Sequence, residues 1–321
     1  MAAPLPSDSA RGPWSSAAAQ FRDRGQFLQL AGLRVFVVDT GPAPAAAPTS
    51  APGTAADTAA DDGGDALLLL HGFPSSALDY HRILPVLSQR RRVVLVDFPG
   101  FGFSDKPVDY SYSLHEQADI VLLALRTLGI RSLALAAHDM GTSVACELLA
   151  RRERGLLPVQ ITALCLMNGS VHIELAQLTP SQQLLRSPLG PLFSRLSTRP
   201  LFLAQLRRIL GRPVPDEDLQ DMWALLGHAD GRLRLPQTIG YIAERHRYWH
   251  RWIGALSRLD IPTLILWGTE DPVAVRAIAQ RLSDEIPGAR LKWLNGVGHY
   301  PQLEDPIAVG MALDQFLDGR R

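Results

Sequence analysis

One stretch limits the fold more than any other: Leu133-Ala134-Leu135-Ala136-Ala137, followed by His138-Asp139-Met140-Gly141. The short apolar run reads as a buried strand, and Thr142 to Arg151 reads as the helix after it. Small residues, Ala137 and Gly141, stand two positions before and after Asp139. A turn that throws one side chain out between a strand and a helix is so tight that only small neighbours fit at those positions. The side chain thrown out here is a carboxylate. A carboxylate that attacks an alkyl carbon forms an ester, which water must then hydrolyse. The pattern therefore suits carbon–halogen bonds or epoxide rings better than amides.

The alternation along the chain extends this strand–helix unit into an α/β fold. Phe27 to Leu30 and Leu33 to Asp39 read as a hairpin turning at Ala31-Gly32. Ala66-Leu70, Arg92-Val96, Ile161-Met167, Thr263-Trp267 and Arg290-Leu294 read as further strands. Tyr80 to Gln89, Leu114 to Leu128 (with Ser113 as N-cap) and a final segment from Asp305-Pro306 to about Leu317 read as helices. Short apolar strands alternating with helices imply a mainly parallel sheet covered on both faces, with sites at the carboxyl ends of its strands.

Two intervals break the rhythm. Residues 41–65 are an Ala/Pro/Gly-rich stretch that cannot bury enough apolar surface to offset the entropy of ordering, and are expected as a flexible loop. Residues 169–256 look all-helical: Thr179-Pro180 caps one helix, Pro215-Asp216-Glu217 starts another, and Pro236 to Leu256 forms a long third. Helices inserted after a sheet strand suit a lid over a strand-end site. The expected organisation is thus a tail over 1–25, a first core part over 26–168, a helical lid over 169–256 and a second core part over 257–321.

Composition closes off other classes. A formal net charge of zero gives nucleic-acid binding no electrostatic support. Cys146 and Cys165 lie in apolar segments and read as buried free thiols of a reducing compartment. No apolar run reaches the roughly 18 residues that a membrane span needs. Met1 to Pro13 lacks a basic region followed by an apolar block, so a cytoplasmic location is expected, with no secretory signal. The expected partner is a small-molecule substrate, with no cofactor and no metal.

Three residues at expected strand ends supply a triad in the order nucleophile, acid, base: Asp139, Asp271 in Gly268-Thr269-Glu270-Asp271, and His299 in Gly298-His299. Each alone has a plain structural role to offer, as helix cap, turn residue before proline, or surface histidine. Together in that order they read as catalytic. Asp271 would fix the tautomer of His299, and the other imidazole nitrogen would deprotonate the water that attacks the ester. The ester's hydrolysis develops an oxyanion, which the backbone N–H groups of Phe73 and Met140 are expected to meet. Gly72 allows the sharp path after His71, and Pro74 stiffens it. No Gly-x-Ser-x-Gly occurs in the chain, so a serine nucleophile is disfavoured.

These residues resemble the aspartate-nucleophile branch of the α/β-hydrolases, which holds epoxide hydrolases and haloalkane dehalogenases. The similar pieces are His71-Gly72-Phe73-Pro74, Asp97-Phe98-Pro99-Gly100-Phe101-Gly102, His138-Asp139-x-Gly141, Gly268-x-x-Asp271 and Gly298-His299. Within that branch the chain is similar to the mesoderm-specific transcript proteins. That match includes Asp221-Met222-Trp223-Ala224, Arg251-Trp252-Ile253-Gly254 and His299-Tyr300-Pro301-Gln302-Leu303-Glu304-Asp305-Pro306. The resemblance implies an α/β-hydrolase fold with a helical lid and an Asp139–Asp271–His299 triad.

Departures from the branch shape the expected reaction. Haloalkane dehalogenases hold the halide with a tryptophan just after the nucleophile and a second N–H donor. Met140 and Phe73 stand at those positions and carry no side-chain N–H. Epoxide hydrolases protonate the opening ring with lid tyrosines, for which Tyr241 and Tyr248 are the candidates, seven residues apart on one expected helix, although the pair matches no motif of the family and packing of the lid onto the core is the plainer reading. Together with His71 and Trp223 they complete the expected substrate pocket. The basic cluster Arg245-His246-Arg247, with His250 and Arg251, reads as a solvated helix face, with contact to an anionic substrate as the alternative. Epoxide opening is the first expectation, dehalogenation the second, and a weakly catalytic binding or regulatory protein the alternative of another class.

Overall fold

The computed structural model describes residues 14–42 and 65–319. Most of the expected N-terminal tail (1–13) and of the expected loop (43–64) lies outside the described residues. Eight segments pair into one sheet: β1 (Gly25–Leu30), β2 (Leu33–Asp39), β3 (Ala66–Leu70), β4 (Val93–Val96), β5 (Ser132–His138), β6 (Gln160–Met167), β7 (Thr263–Gly268) and β8 (Arg290–Leu294). Their order across the sheet is β1-β2-β4-β3-β5-β6-β7-β8. The β1–β2 and β2–β4 pairs are antiparallel, and the other five are parallel.

The residues explain the arrangement. β3, β4 and β7 are buried at every position, as strands covered by helices on both faces must be. β1 and β2 turn at Ala31 and Gly32, both at positive φ, the geometry of a tight hairpin between twisted strands. The register sets Leu70 beside Ala137, His138 beside Met167, and Met167 beside Leu266. The carboxyl ends of β3, β5, β6 and β7 therefore reach one edge together. His71, Asp139, Asn168 and Thr269 leave the sheet there as neighbours.

Between β6 and β7 the described chain forms only helices. Thr179 opens the first with a reciprocal capping box to Gln182. Two expected helices are broken. Pro85 fits only the first turn of a helix, so Tyr80–Gln89 resolves into a 3-10 turn (Ala77–Tyr80) and a single helical turn (Leu84–Leu87). The expected 236–256 helix resolves into Leu235–Thr238, Tyr241–Arg247 and Trp249–Ser257, the last two parted at Tyr248, which leaves helical geometry at φ −105° and ψ 13°. Tyr241 and Tyr248 consequently share no helix face. Among the described residues no helix is long and apolar enough to cross a membrane.

Candidate active site

Asp139 sits between β5 and the helix Met140–Glu153 at φ 43° and ψ −111°, a strained conformation for a residue with a side chain. The neighbouring glycines make the turn possible. A Cβ on Gly141 would lie 2.7 Å from the carbonyl oxygens of Leu70 and His71, and one on Gly72 would lie 2.8 Å from the Asp139 Cβ. The chain after β3 thereby passes directly over the carboxylate. The Phe73 N–H donates to Asp139 Oδ2 at 2.9 Å. Met140 opens the helix, so its N–H is among the first four, which have no acceptor within the helix.

His299 leaves the β8 end and donates from Nδ1 to Asp271 Oδ2 at 2.8 Å. The second oxygen of Asp271 accepts the Val273 and Ala274 N–H groups at 2.7 and 3.0 Å. Burial pushes the Asp271 carboxyl up, but the His299 charge and these bonds outweigh it and hold the group below its ordinary value. Burial likewise works against a charged His299. Asp271, and then Asp139 and Glu304, overcome it and raise the imidazole to about 9. Asp139, Asp271 and His299 thus converge on one strand-end edge.

Three further residues join the site, of which the sequence reading assigned no role to Asn168 or Glu304. Asn168 follows β6 at φ 40°. Its Nδ2 donates to Asp271 Oδ2 at 2.7 Å and to the Gly298 carbonyl at 3.1 Å, while its Oδ1 accepts the Gly268 N–H at 3.0 Å. It ties Asp271, the His299 loop and β7 together. Glu304 accepts the N–H groups of Gly211, Arg212, Gly298 and Tyr300 at 2.7 to 2.9 Å, which pins the helical insertion to the base loop. Its position within the matched run His299–Pro306 was the available signal. Arg245 departs from the reading of its cluster as a solvated face, which the exposed His246, Arg247 and His250 keep, since only 1% of it is exposed. It donates from Nε to Ser143 Oγ at 2.8 Å and from Nη2 to the Asp139 carbonyl at 2.9 Å. Nη2 also stands 3.6 Å from Asp139 Oδ1. A buried guanidinium has to find anions or carbonyls, and the elbow offers both.

The expected pocket residues separate. A cavity of about 370 Å³ is lined by Phe73, His299 and Tyr300 and by apolar groups such as Leu185, Phe202 and Val273. Asp139 is not among its lining residues and is 2% exposed. Tyr241 is buried behind Phe73, with ring centroids 5.5 Å apart, and its hydroxyl meets the cavity-lining Gln182. The Arg245 guanidinium caps its ring at 4.6 Å. The other three stand away from the cavity. His71 is fully buried, donates from Nδ1 to the Gly72 carbonyl at 2.8 Å and accepts the Phe98 N–H at 3.1 Å. Burial pushes it down to about 3, so it is a neutral brace for the turn rather than a pocket wall. Tyr248 packs on His115 and Trp252 because the helix breaks at it. Trp223 packs on Phe202 and under Arg232, and lines a separate pocket with Trp14 and Arg199. Tyr300, which the cavity does include, was quoted only as part of a match.

Comparison with known proteins agrees with this architecture. Residues 65–306 match the family described as the alpha/beta hydrolase fold. LipZ of Mycobacterium tuberculosis is 40% identical over 301 residues, covering 93% of this chain and 97% of that protein. The mesoderm-specific transcript protein of Mus musculus is 35% identical over 315 residues, covering 95% of this chain and 89% of that protein. Among solved structures, the haloalkane dehalogenase DatA from Agrobacterium tumefaciens superposes with a TM-score of 0.72 at 21% identity, covering 92% of this chain and 96% of that one. At that identity the likeness concerns the fold alone.

Proposed function

The chain belongs to the alpha/beta hydrolase fold family, and from that premise we propose that it hydrolyses a carbon–heteroatom bond through an ester on Asp139, with epoxide opening as its reaction. The observation that carries this reading is the division of the Asp139 carboxylate. Oδ2 is held by the Phe73 N–H, whereas Oδ1 has no hydrogen bond shorter than the 3.6 Å approach of Arg245. Oδ1 is the attacking oxygen, and Oδ2 is already seated where the ester carbonyl will be. A substrate in the cavity reaches it when the side chains of Phe73 or Tyr300 swing aside.

In the first step Oδ1 bonds to a ring carbon and the carbon–oxygen bond of the epoxide breaks, its electron pair staying on oxygen. That oxygen takes a proton from the Tyr241 or Tyr300 hydroxyl. Burial holds both phenols far above their ordinary value, so each stays protonated until an alkoxide arrives. His299 then returns a proton to the tyrosinate. Ester formation has removed the Asp139 charge that helps hold a proton on His299, so the now neutral imidazole can act as base. It takes a proton from water, and the hydroxide adds to the ester carbon. The Phe73 and Met140 N–H groups stabilise the oxyanion on Oδ2. Collapse frees the diol. One water proton ends on His299 and the other on the alcohol, so both residues regain their resting states.

Dehalogenation is weaker on the same geometry, because Phe73 and Met140 offer a leaving halide no side-chain N–H. The test is intact mass of His299→Phe after incubation with a panel of epoxides and haloalkanes. Blocking the second step should let an adduct equal to the whole epoxide accumulate. An adduct equal to an alkyl group without its halide would replace epoxide opening by dehalogenation. No adduct, together with no turnover of the panel by wild type, would sink both.

A further inference from the structure

Residues 175–215 contain six arginines and no lysine, aspartate or glutamate, in a chain whose net charge is zero. All six are exposed. Arg207 pairs with Asp216 at 2.7 Å, and Arg212 pairs with Asp305. Among the described residues, Arg186, Arg195, Arg199 and Arg208 have no carboxylate within ion-pair reach. Between them lie Leu189, Leu192, Leu196 and Leu201, which are 59%, 55%, 67% and 42% exposed.

The placement of these leucines is not required by the core. Leu189, Leu192 and Leu196 are spaced three and four apart on the helix Gly190–Leu196 and its cap, and so form one stripe. Phe193 beside that stripe turns inward to the cavity, as do Phe202 and Leu206 from the next helix, Arg199–Arg207. These two short helices are thus apolar toward the cavity and apolar again toward solvent. A contiguous outward apolar stripe rimmed by charge marks a contact surface.

The charge decides what it contacts. A second copy docked about a two-fold axis would set the patch against itself, bringing arginine against arginine. A protein partner is ordinarily anchored by aromatic side chains, and the large exposed apolar residues of this segment are leucines only. An anionic bilayer meets both halves of the patch: acyl chains receive the leucines, and lipid phosphates receive the guanidiniums. We infer that the outer face of the helices spanning residues 186–208 is a docking surface for an anionic lipid membrane, adjoining the cavity.

The test is flotation of the full chain with vesicles of phosphatidylglycerol and phosphatidylcholine in equal parts, against phosphatidylcholine alone. Wild type should float with the first and not the second, and salt should release it. Arg195→Glu/Arg199→Glu should weaken binding about fivefold for each arginine lost, or more. Leu192→Ser/Leu196→Ser should also weaken it, with the far-ultraviolet dichroism of both variants unchanged. Absence of wild type from the anionic vesicles would overturn the inference, as would binding that neither variant alters. Light scattering that finds a dimer dissolved by Leu192→Ser/Leu196→Ser, without vesicle binding, would assign the surface to a second copy instead.

Discussion

Asp139 and Glu147 lie two helical turns apart on one face of the helix Met140–Glu153 and its cap, both buried and both met by an arginine from the helical insertion. Their surroundings differ in the number of donors. Glu147 accepts from Arg151 Nε at 2.9 Å, from Arg251 Nε and Nη2 at 2.7 and 2.8 Å, and from Trp252 Nε1 at 3.1 Å. His115 Nδ1 approaches at 3.1 Å. Burial pushes the Glu147 carboxyl up, but these donors reverse the shift and hold it well below the carboxylate range. Both of its oxygens are engaged, and it clamps the insertion to the core. Asp139 keeps one oxygen with no close donor, on a backbone held in a strained shape. The same helix face thus carries a clamp and a candidate nucleophile, and the count of donors on each separates them.

Substitutions at the two carboxylates should dissociate chemistry from stability. Asp139→Ala should lower turnover about 10⁴-fold, read as kcat on whichever substrate the adduct experiment identifies, while thermal unfolding stays cooperative. Activity equal to wild type would end the mechanism. Glu147→Ala should do the reverse. Removing the acceptor of two part-buried arginines should cost about 3 kcal/mol in urea unfolding and change kcat far less. If its loss in kcat matched that of Asp139→Ala, the clamp would have to be counted part of the reacting site.

Arg245→Met probes the point where the two roles meet. The guanidinium holds the elbow carbonyl and faces Oδ1, so kcat should fall about 10²-fold, with Arg245→Lys intermediate because an ammonium lacks the planar fork. An unchanged kcat would reduce Arg245 to packing. The smallest effect concerns pH. His299 rises from 6.5 to about 9 on folding, so the stability it contributes is full below about pH 6.5 and is lost as pH rises through about 9. Melting temperatures of wild type and His299→Gln should converge across that window. Parallel curves would mean that Asp271 and Asp139 do not hold the proton there.

Much of the core half of the site was readable from local signals. A strand, a small residue, an acid and a glycine at fixed spacing specify an elbow because sterics leave few side chains that fit. The phrases ending in Asp271 and His299 follow the strands β7 and β8. The insertion was far less readable. Arg245, His246 and Arg247 look alike in sequence, yet one is buried against Asp139 and its neighbours are not. Tyr241 and Tyr248 share a periodicity that the break at Tyr248 cancels.

From the residues alone followed the alternation of strands and helices and the strand–turn–helix elbow at Asp139, because each depends on sterics and periodicity within about ten residues. Tertiary structure alone decided which arginine turns inward, which tyrosine packs on Phe73, and that Asn168 and Glu304 brace the loops of Asp271 and His299. Those outcomes depend on satisfying buried polar groups against partners far along the chain, 130 residues away for Asn168 and Gly298 and 93 for Glu304 and Gly211. No local pattern encodes that choice, because a buried polar group takes whichever partner the packed strands and helices bring to it.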